Sequence, residues 1–202
     1  LSERLELINL TIVSLASVDS MLADDDPRFP EWQRQLDGFV STAYEDDEVT
    51  AAIDEILAEA DVIRNGVIPP DPISFTLTGN EGTIDLNVGN RLDEPITVVL
   101  RLASPRLSFP DGDQTITLPP ESTQTIQVPV RARSNGTSSV EVDILTPSGD
   151  PLIETVTLKS RVNSLTGLGQ ALTAGLVLIL LTWWFSHWRR RRRAENAAAD
   201  PA

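Results

Sequence analysis

Over the first 66 residues, apolar positions recur at spacings of three and four. Leu5, Ile8, Ile12, Leu15, Val18 and Leu22 share one face of a helix at that period. The acidic run Asp24-Asp25-Asp26-Pro27 breaks the pattern. A second helix is expected from Pro30, because proline suits the first helical turn; it presents Trp32, Leu36, Phe39 and Ala43. A third is expected after Asp46-Asp47-Glu48, whose charges complement a helix N-terminus. Its apolar face is Val49, Ile53, Ile56, Leu57, Ala60 and Ile63, and Asn65-Gly66 is its stop. Residues 1–66 therefore read as a helical segment, the end of a larger upstream domain. Prolines 69, 70 and 72 then favour an extended, stiff connector over residues 67–72, where a domain boundary is expected.

From Ile73 the period changes to two. Ile73, Phe75 and Leu77 alternate with polar residues, as do Ile84, Leu86 and Val88, and Ile126, Val128 and Val130. Turn signals separate these runs: Gly79 to Gly82, Asp93 to Pro95, Pro110 to Asp113, Pro119-Pro120, Ser134 to Gly136 and Pro147 to Gly149. The spacing predicts strands at 73–79, 82–88, 95–103, 114–118, 123–130, 137–146 and 151–161. Short strands punctuated this regularly imply an immunoglobulin-like antiparallel β-sandwich over residues 73–161, without the cysteine pair of antibody domains. Phe75, Leu77, Leu86, Val99 and Val142 are expected in its core, and residues 71–161 are expected to fold alone.

The third pattern has no polar face. Val162 to Trp188 contains no Asp, Glu, Lys or Arg. Crossing the roughly 30 Å of bilayer hydrocarbon takes about 20 largely apolar residues, so a transmembrane helix is expected over 165–188. Trp183, Trp184 and Trp188 gather at one end, where indole rings favour the interface. Arg189, Arg190, Arg191, Arg192 and Arg193 follow at once and resist translocation, so the tail 189–202 is expected in the cytoplasm and the N-terminal part outside it. Lys159 and Arg161 flank the other end. A buried core helix rarely ends in three Trp and five Arg. Gly167, Ala171 and Gly175 recur every fourth residue, which puts small side chains on one helix face. Such a face lets a second helix approach closely, although Gly and Ala are also common in spans generally. The fold class is thus α+β in separate parts: helices, sandwich, one span.

Charge sharpens this picture. The chain has 30 acidic and 16 basic residues. Only Glu195 and Asp200 of the acidic ones, and Arg189 to Arg193 of the basic ones, follow residue 161, which leaves a net charge of −17 before that point. So acidic a surface argues against nucleic acid as a partner. The tail arginines suit anionic lipid.

Candidate chemistry is sparse. There is no cysteine, and the single histidine is His187, among the tryptophans. A zinc site and a Ser-His-Asp triad outside the membrane are therefore not expected, and neither is a cofactor. Asp24 to Asp26 and Asp111-Gly112-Asp113 do not match an EF-hand loop and read as capping and hairpin turns. The chain opens on Leu1 without a basic-then-apolar signal segment. Since an exported, anchored protein needs an export signal, a longer protein with this as its C-terminal part is expected.

The run Arg161-Val-Asn-Ser-Leu-Thr-Gly-Leu-Gly169, the span, Trp183-Trp184 and the Arg tail resemble the C-terminus of an uncharacterised family of large actinobacterial membrane-anchored envelope proteins. Ser2-Glu-Arg-Leu-Glu-Leu7 and Asp26-Pro-Arg-Phe-Pro-Glu-Trp32 resemble it too. The resemblance implies a signal peptide, a large extracytoplasmic region and one C-terminal span. It supplies no catalytic residues. Genes of that family often lie beside one for a lipid II flippase of the MurJ type, which implies a role in cell-envelope assembly and a polytopic transporter as a possible partner. The expected function is a non-catalytic scaffold or interaction module in peptidoglycan-precursor assembly. The alternative is the anchor and stalk of an enzyme or glycan-binding protein whose active domain lies upstream of Leu1.

Overall fold

The computed structural model describes residues 2–40, 44–162, 173 and 175–184. Helix α1, Ser2–Asp19, turns a face towards the core that differs slightly from the periodic one. Ile8, Thr11, Leu15, Val18 and Leu22 are buried, whereas Leu5 is 38% exposed. Thr11 can sit there because its hydroxyl donates to the Leu7 carbonyl at 2.9 Å, so no polar atom is stranded. Helix α2, Arg28–Gly38, starts two residues before Pro30. The Asp26 carboxylate accepts the Arg28 N–H at 2.9 Å and so satisfies one of the free donors of the first turn. Phe39 is its C-cap, and Ala43, expected on the same helix, lies outside the described residues. Helix α3, Asp46–Arg64, buries Val49, Ile53, Ile56, Ala60 and Ile63. The Glu48 carboxylate reaches back to the Glu45 N–H at 3.2 Å, and Asn65 is the C-cap.

Among the described residues nine strands follow: β1 Val67–Ile68, β2 Ser74–Leu77, β3 Glu81–Asn90, β4 Ile96–Ala103, β5 Leu107–Ser108, β6 Gln114–Leu118, β7 Ser122–Ala132, β8 Gly136–Leu145 and β9 Val156–Val162. They form two sheets, ordered β1-β3-β7-β5 and β2-β9-β8-β4-β6. Inward residues of both sheets, among them Ile84, Leu86, Val128, Val98, Leu100, Val142 and Leu158, belong to one apolar core.

Three expectations need correction. Residues 67–72 are not a bare linker, because Val67 pairs with Asn90 and Ile68 with Gly89. Pro69 lacks the N–H that would continue that ladder, and the chain crosses to the other sheet before Ser74. Nor is the sandwich wholly antiparallel: β2 pairs with β9 in parallel, from Ser74 opposite Lys159 to Leu77 opposite Val162. Finally, Val99 faces outward. Ile96, Val98, Leu100 and Leu102 are the buried positions of β4, and Phe75 is only half-buried.

The far edge repeats the same device, with β5 pairing with β7 and β6 with β4. These edge strands are short, two to five residues each, which limits the unpaired backbone that an open sheet edge presents. The last strand is shorter than expected. Pro151 makes only a single bridge, to Leu145, and regular pairing resumes at Val156.

Candidate functional site

The helices do not stand apart from the sandwich; residues 1–162 form one compact unit. Just beyond α1, the Met21 carbonyl accepts the Thr97 N–H of β4 at 2.7 Å. At the C-terminal end of α1, Ser17 Oγ lies 3.2 Å from Thr146 Oγ1 and 3.2 Å from Ser148 Oγ. Ser20 Oγ accepts the Ser148 N–H at 3.3 Å. Thr146 and Asp150 complete the turn after β8, with the Asp150 N–H donating to Thr146 Oγ1 at 3.1 Å. Ser17 and Thr146 are buried here and Ser20 and Ser148 lie nearer the surface, so the buried hydroxyls find partners in one another and in the turn.

Charge closes the same junction. Arg28 donates through Nη2 to Asp26 Oδ2 at 2.6 Å and through Nη1 to Glu94 Oε1 at 2.7 Å. Hydrogen bonds from the Arg28 side chain hold the Asp26 carboxyl below its ordinary range, against a smaller opposing effect of burial. The Arg28 guanidinium is pushed further up by the same bonds to Asp26 and Glu94. Asp19 moves the other way: burial raises it most, and the neighbouring charges of Asp26 and Asp24 add to that. The two carboxylates thus differ, with Asp26 paired to a cation and Asp19 raised by burial and by the nearby acidic run. Asp113 is likewise engaged, accepting from Arg101 Nε at 2.9 Å, while Gly112 takes the left-handed φ of +63° that its turn requires.

Open grooves flank the helices among the described residues. One is lined by Ala58, Asp61, Val62, Asn65, Arg91 and Leu92. Another lies between α1 and α3, around Arg4, Leu7, Asp46 and Val49. In the second groove Arg4 Nε donates to Asp46 Oδ1 at 2.9 Å. Among the described residues, no group of three or more His, Asp or Glu is placed to hold a metal ion.

Of the residues singled out in the expected span, Trp183, Trp184 and Gly175 lie in a helical stretch over 175–184. Trp183 and Trp184 are exposed, and a Cβ added at Gly175 would meet nothing within 4 Å. Gly167, Ala171, Trp188 and Arg189, Arg190, Arg191, Arg192 and Arg193 lie outside the described residues, as does most of the expected span 165–188. Among the described residues, no helix is long and apolar enough to cross a membrane.

Residues 10–199 match a family of unknown function, DUF6049. The chain belongs to this family. No curated protein matches it. Among solved structures, native alpha-2-macroglobulin from Escherichia coli is similar at 20% identity and a TM-score of 0.35, over 48% of this chain and 16% of that one. SSP-19 of Caenorhabditis elegans, an MSP-domain-like protein, is similar at 13% identity and a TM-score of 0.34, over 47% of this chain and 98% of its own. A FixG-related protein from Vibrio parahaemolyticus is similar at 20% identity and a TM-score of 0.32, over 41% of this chain and 76% of its own. This chain thus spans about one sixth of the alpha-2-macroglobulin fragment it resembles. Likenesses at these scores carry no functional argument.

The junction between helices and sandwich is the feature that sequence reasoning missed. Each of its polar residues is ordinary where it stands, and only the fold brings them together.

Proposed function

We propose that this chain is a non-catalytic, single-pass scaffold or interaction module of a bacterial plasma membrane. Residues 1–161 lie outside the cytoplasm and the Arg-rich tail lies within it. The observation that carries this proposal is the absence of any charged residue from Val162 to Trp188. Along the described helical stretch, every large apolar side chain from Leu176 to Leu181 is at least 50% exposed. A helix apolar on all sides finds its partner in other apolar matter, and lipid is the simplest. Arg189 to Arg193 orient it and offer contacts to anionic headgroups.

Carboxylates and hydroxyls at the junction hold helices to sandwich, as Asp26, Glu94, Ser17 and Thr146 illustrate. That favours a scaffold over an enzyme for these residues. The resemblance to actinobacterial envelope proteins supports a place in cell-envelope assembly, with a polytopic transporter of the lipid II flippase kind as partner. The face of Gly167, Ala171 and Gly175 is where such a helix would pack.

Topology decides the proposal most directly. A reporter active only in the cytoplasm should work when fused after Ala202 and fail when fused before Leu1. The reverse pattern would remove the scaffold from the cell exterior and the proposal with it.

A further inference from the structure

We propose that the parallel pair β2–β9 is a mechanical clamp, which holds the sandwich folded when tension runs along the chain between the connector and residue 162. The source of such tension rests on the membrane-anchored scaffold reading above. The clamp itself is a property of the strand pair.

The geometry is as follows. The chain enters β2 at Ser74 from the proline-rich crossover and leaves β9 at Val162. The two strands are parallel neighbours, with Ser74 opposite Lys159, Phe75 opposite Ser160, Thr76 opposite Arg161 and Leu77 opposite Val162. The Lys159 N–H donates to the Ile73 carbonyl at 3.2 Å and starts the ladder. Pulling back on the entry to β2 and forward on the exit from β9 draws the strands in opposite directions along their common axis. Parallel ladder bonds are evenly spaced, so every rung resists that sliding together. Tension that separates the same strands from one end would break the rungs in succession, each at a low force.

Surrounding features favour the clamp as the point of resistance. Strand β9 is backed over its whole length by β8, from Val162 opposite Gly136 to Val156 opposite Val142. Leu77, Leu158 and Val162 anchor the pair in the core. The pairing that precedes it, β1 with β3, has only two rungs. Stretching should therefore release the helices and β1 first and meet the clamp afterwards.

The absence of cysteine makes a direct test possible, because handles can be attached at chosen pairs of engineered thiols. Asp71, Glu154 and Arg161 are exposed, so cysteine at any of them leaves the core intact. In the purified, detergent-solubilised full chain, the pair Asp71→Cys and Arg161→Cys loads β2 and β9 in sliding. The pair Asp71→Cys and Glu154→Cys pulls on the two leading ends and unzips them. At one loading rate, the first pair should rupture at a several-fold higher force than the second. Equal forces, or a lower force for the first pair, would overturn the clamp. Circular dichroism and a thermal melt before pulling check that both variants start folded. The topology reporters read a different property, so failure of the clamp and failure of the membrane reading are told apart.

Discussion

The N–H of Thr97, the second residue of β4, donates to the carbonyl of Met21 at 2.7 Å, and so ties the segment just after the first helix to the start of a sheet strand. Met21 is itself fully buried, and Leu22 beside it is nearly so. Helices and sandwich thus share one core across a hydrogen-bonded seam.

A shared core implies a shared unfolding transition. In a fragment of residues 1–162, Trp32 is the only tryptophan; it is 2% exposed, with its Nε1–H donating to Glu59 at 2.9 Å. Its fluorescence reports the helices, and the β-type circular dichroism reports the sandwich. Both should lose their signal at the same urea concentration, the mark of two-state behaviour. Two separated midpoints would mean that the helices unfold independently of the sandwich. Residues 71–161 alone lack β1 and the whole helical seam, and should unfold at a lower urea concentration than 1–162.

Acid should loosen the Arg28 junction. Asp26 has a folded pKa below its unfolded one, so its contribution is fully present above an unfolded pKa of about 4 and fades as pH falls through the depressed value. Arg28→Met should cost about 1 kcal/mol at pH 7, since the pair is only partly screened from water. That difference should shrink below pH 4. Asp19 has the opposite sign: raised when folded, it favours the native state below its unfolded pKa and loses that contribution as pH rises through the raised value. Asp19→Asn should therefore raise Tm at pH 7 and leave it nearly unchanged at pH 3. Thermal melts across pH 3 to 7 test both.

Neighbouring apolar residues of β4 should behave unequally. Leu100 is 1% exposed, and Leu100→Ala should cost about 2–5 kcal/mol. Val99 points outward, and Val99→Ala should cost less than about 1 kcal/mol. Urea titration of the two variants measures the contrast, and equal losses would place Val99 in the core after all.

Gly66 should resist even a methyl group. A Cβ there would lie 2.5 Å from Leu92 Cγ, where the chain leaves α3 and Gly66 accepts the Arg91 N–H at 2.8 Å. Gly66→Ala should cost about 1–3 kcal/mol through overpacking. Adding Leu92→Ala should restore part of the loss; if the double variant is simply the sum of two losses, the crowding is not the cause.

The sequence by itself determined the local character of each stretch. Spacings of three and four marked the helices, alternation marked most strands, and the turn residues separated them. The uncharged run after residue 161, closed by tryptophan and arginine, stood out because a single dimension of pattern is enough to express it. Tertiary structure decided what faces what. Val98 and Val99 are adjacent and both apolar, so alternation alone could not choose the inward one; pairing of Ile96 with Leu118 and of Leu100 with Ile144 did. Three prolines read as a linker, and the partners of Val67 and Ser74, distant in sequence, made the stretch a crossover between sheets. The seam of Met21, Thr97, Ser17 and Thr146 left no mark in composition or period. Its bonds join positions far apart in the chain, and such pairings are set by which surfaces fit together once the core has formed, not by the run of residues around either partner.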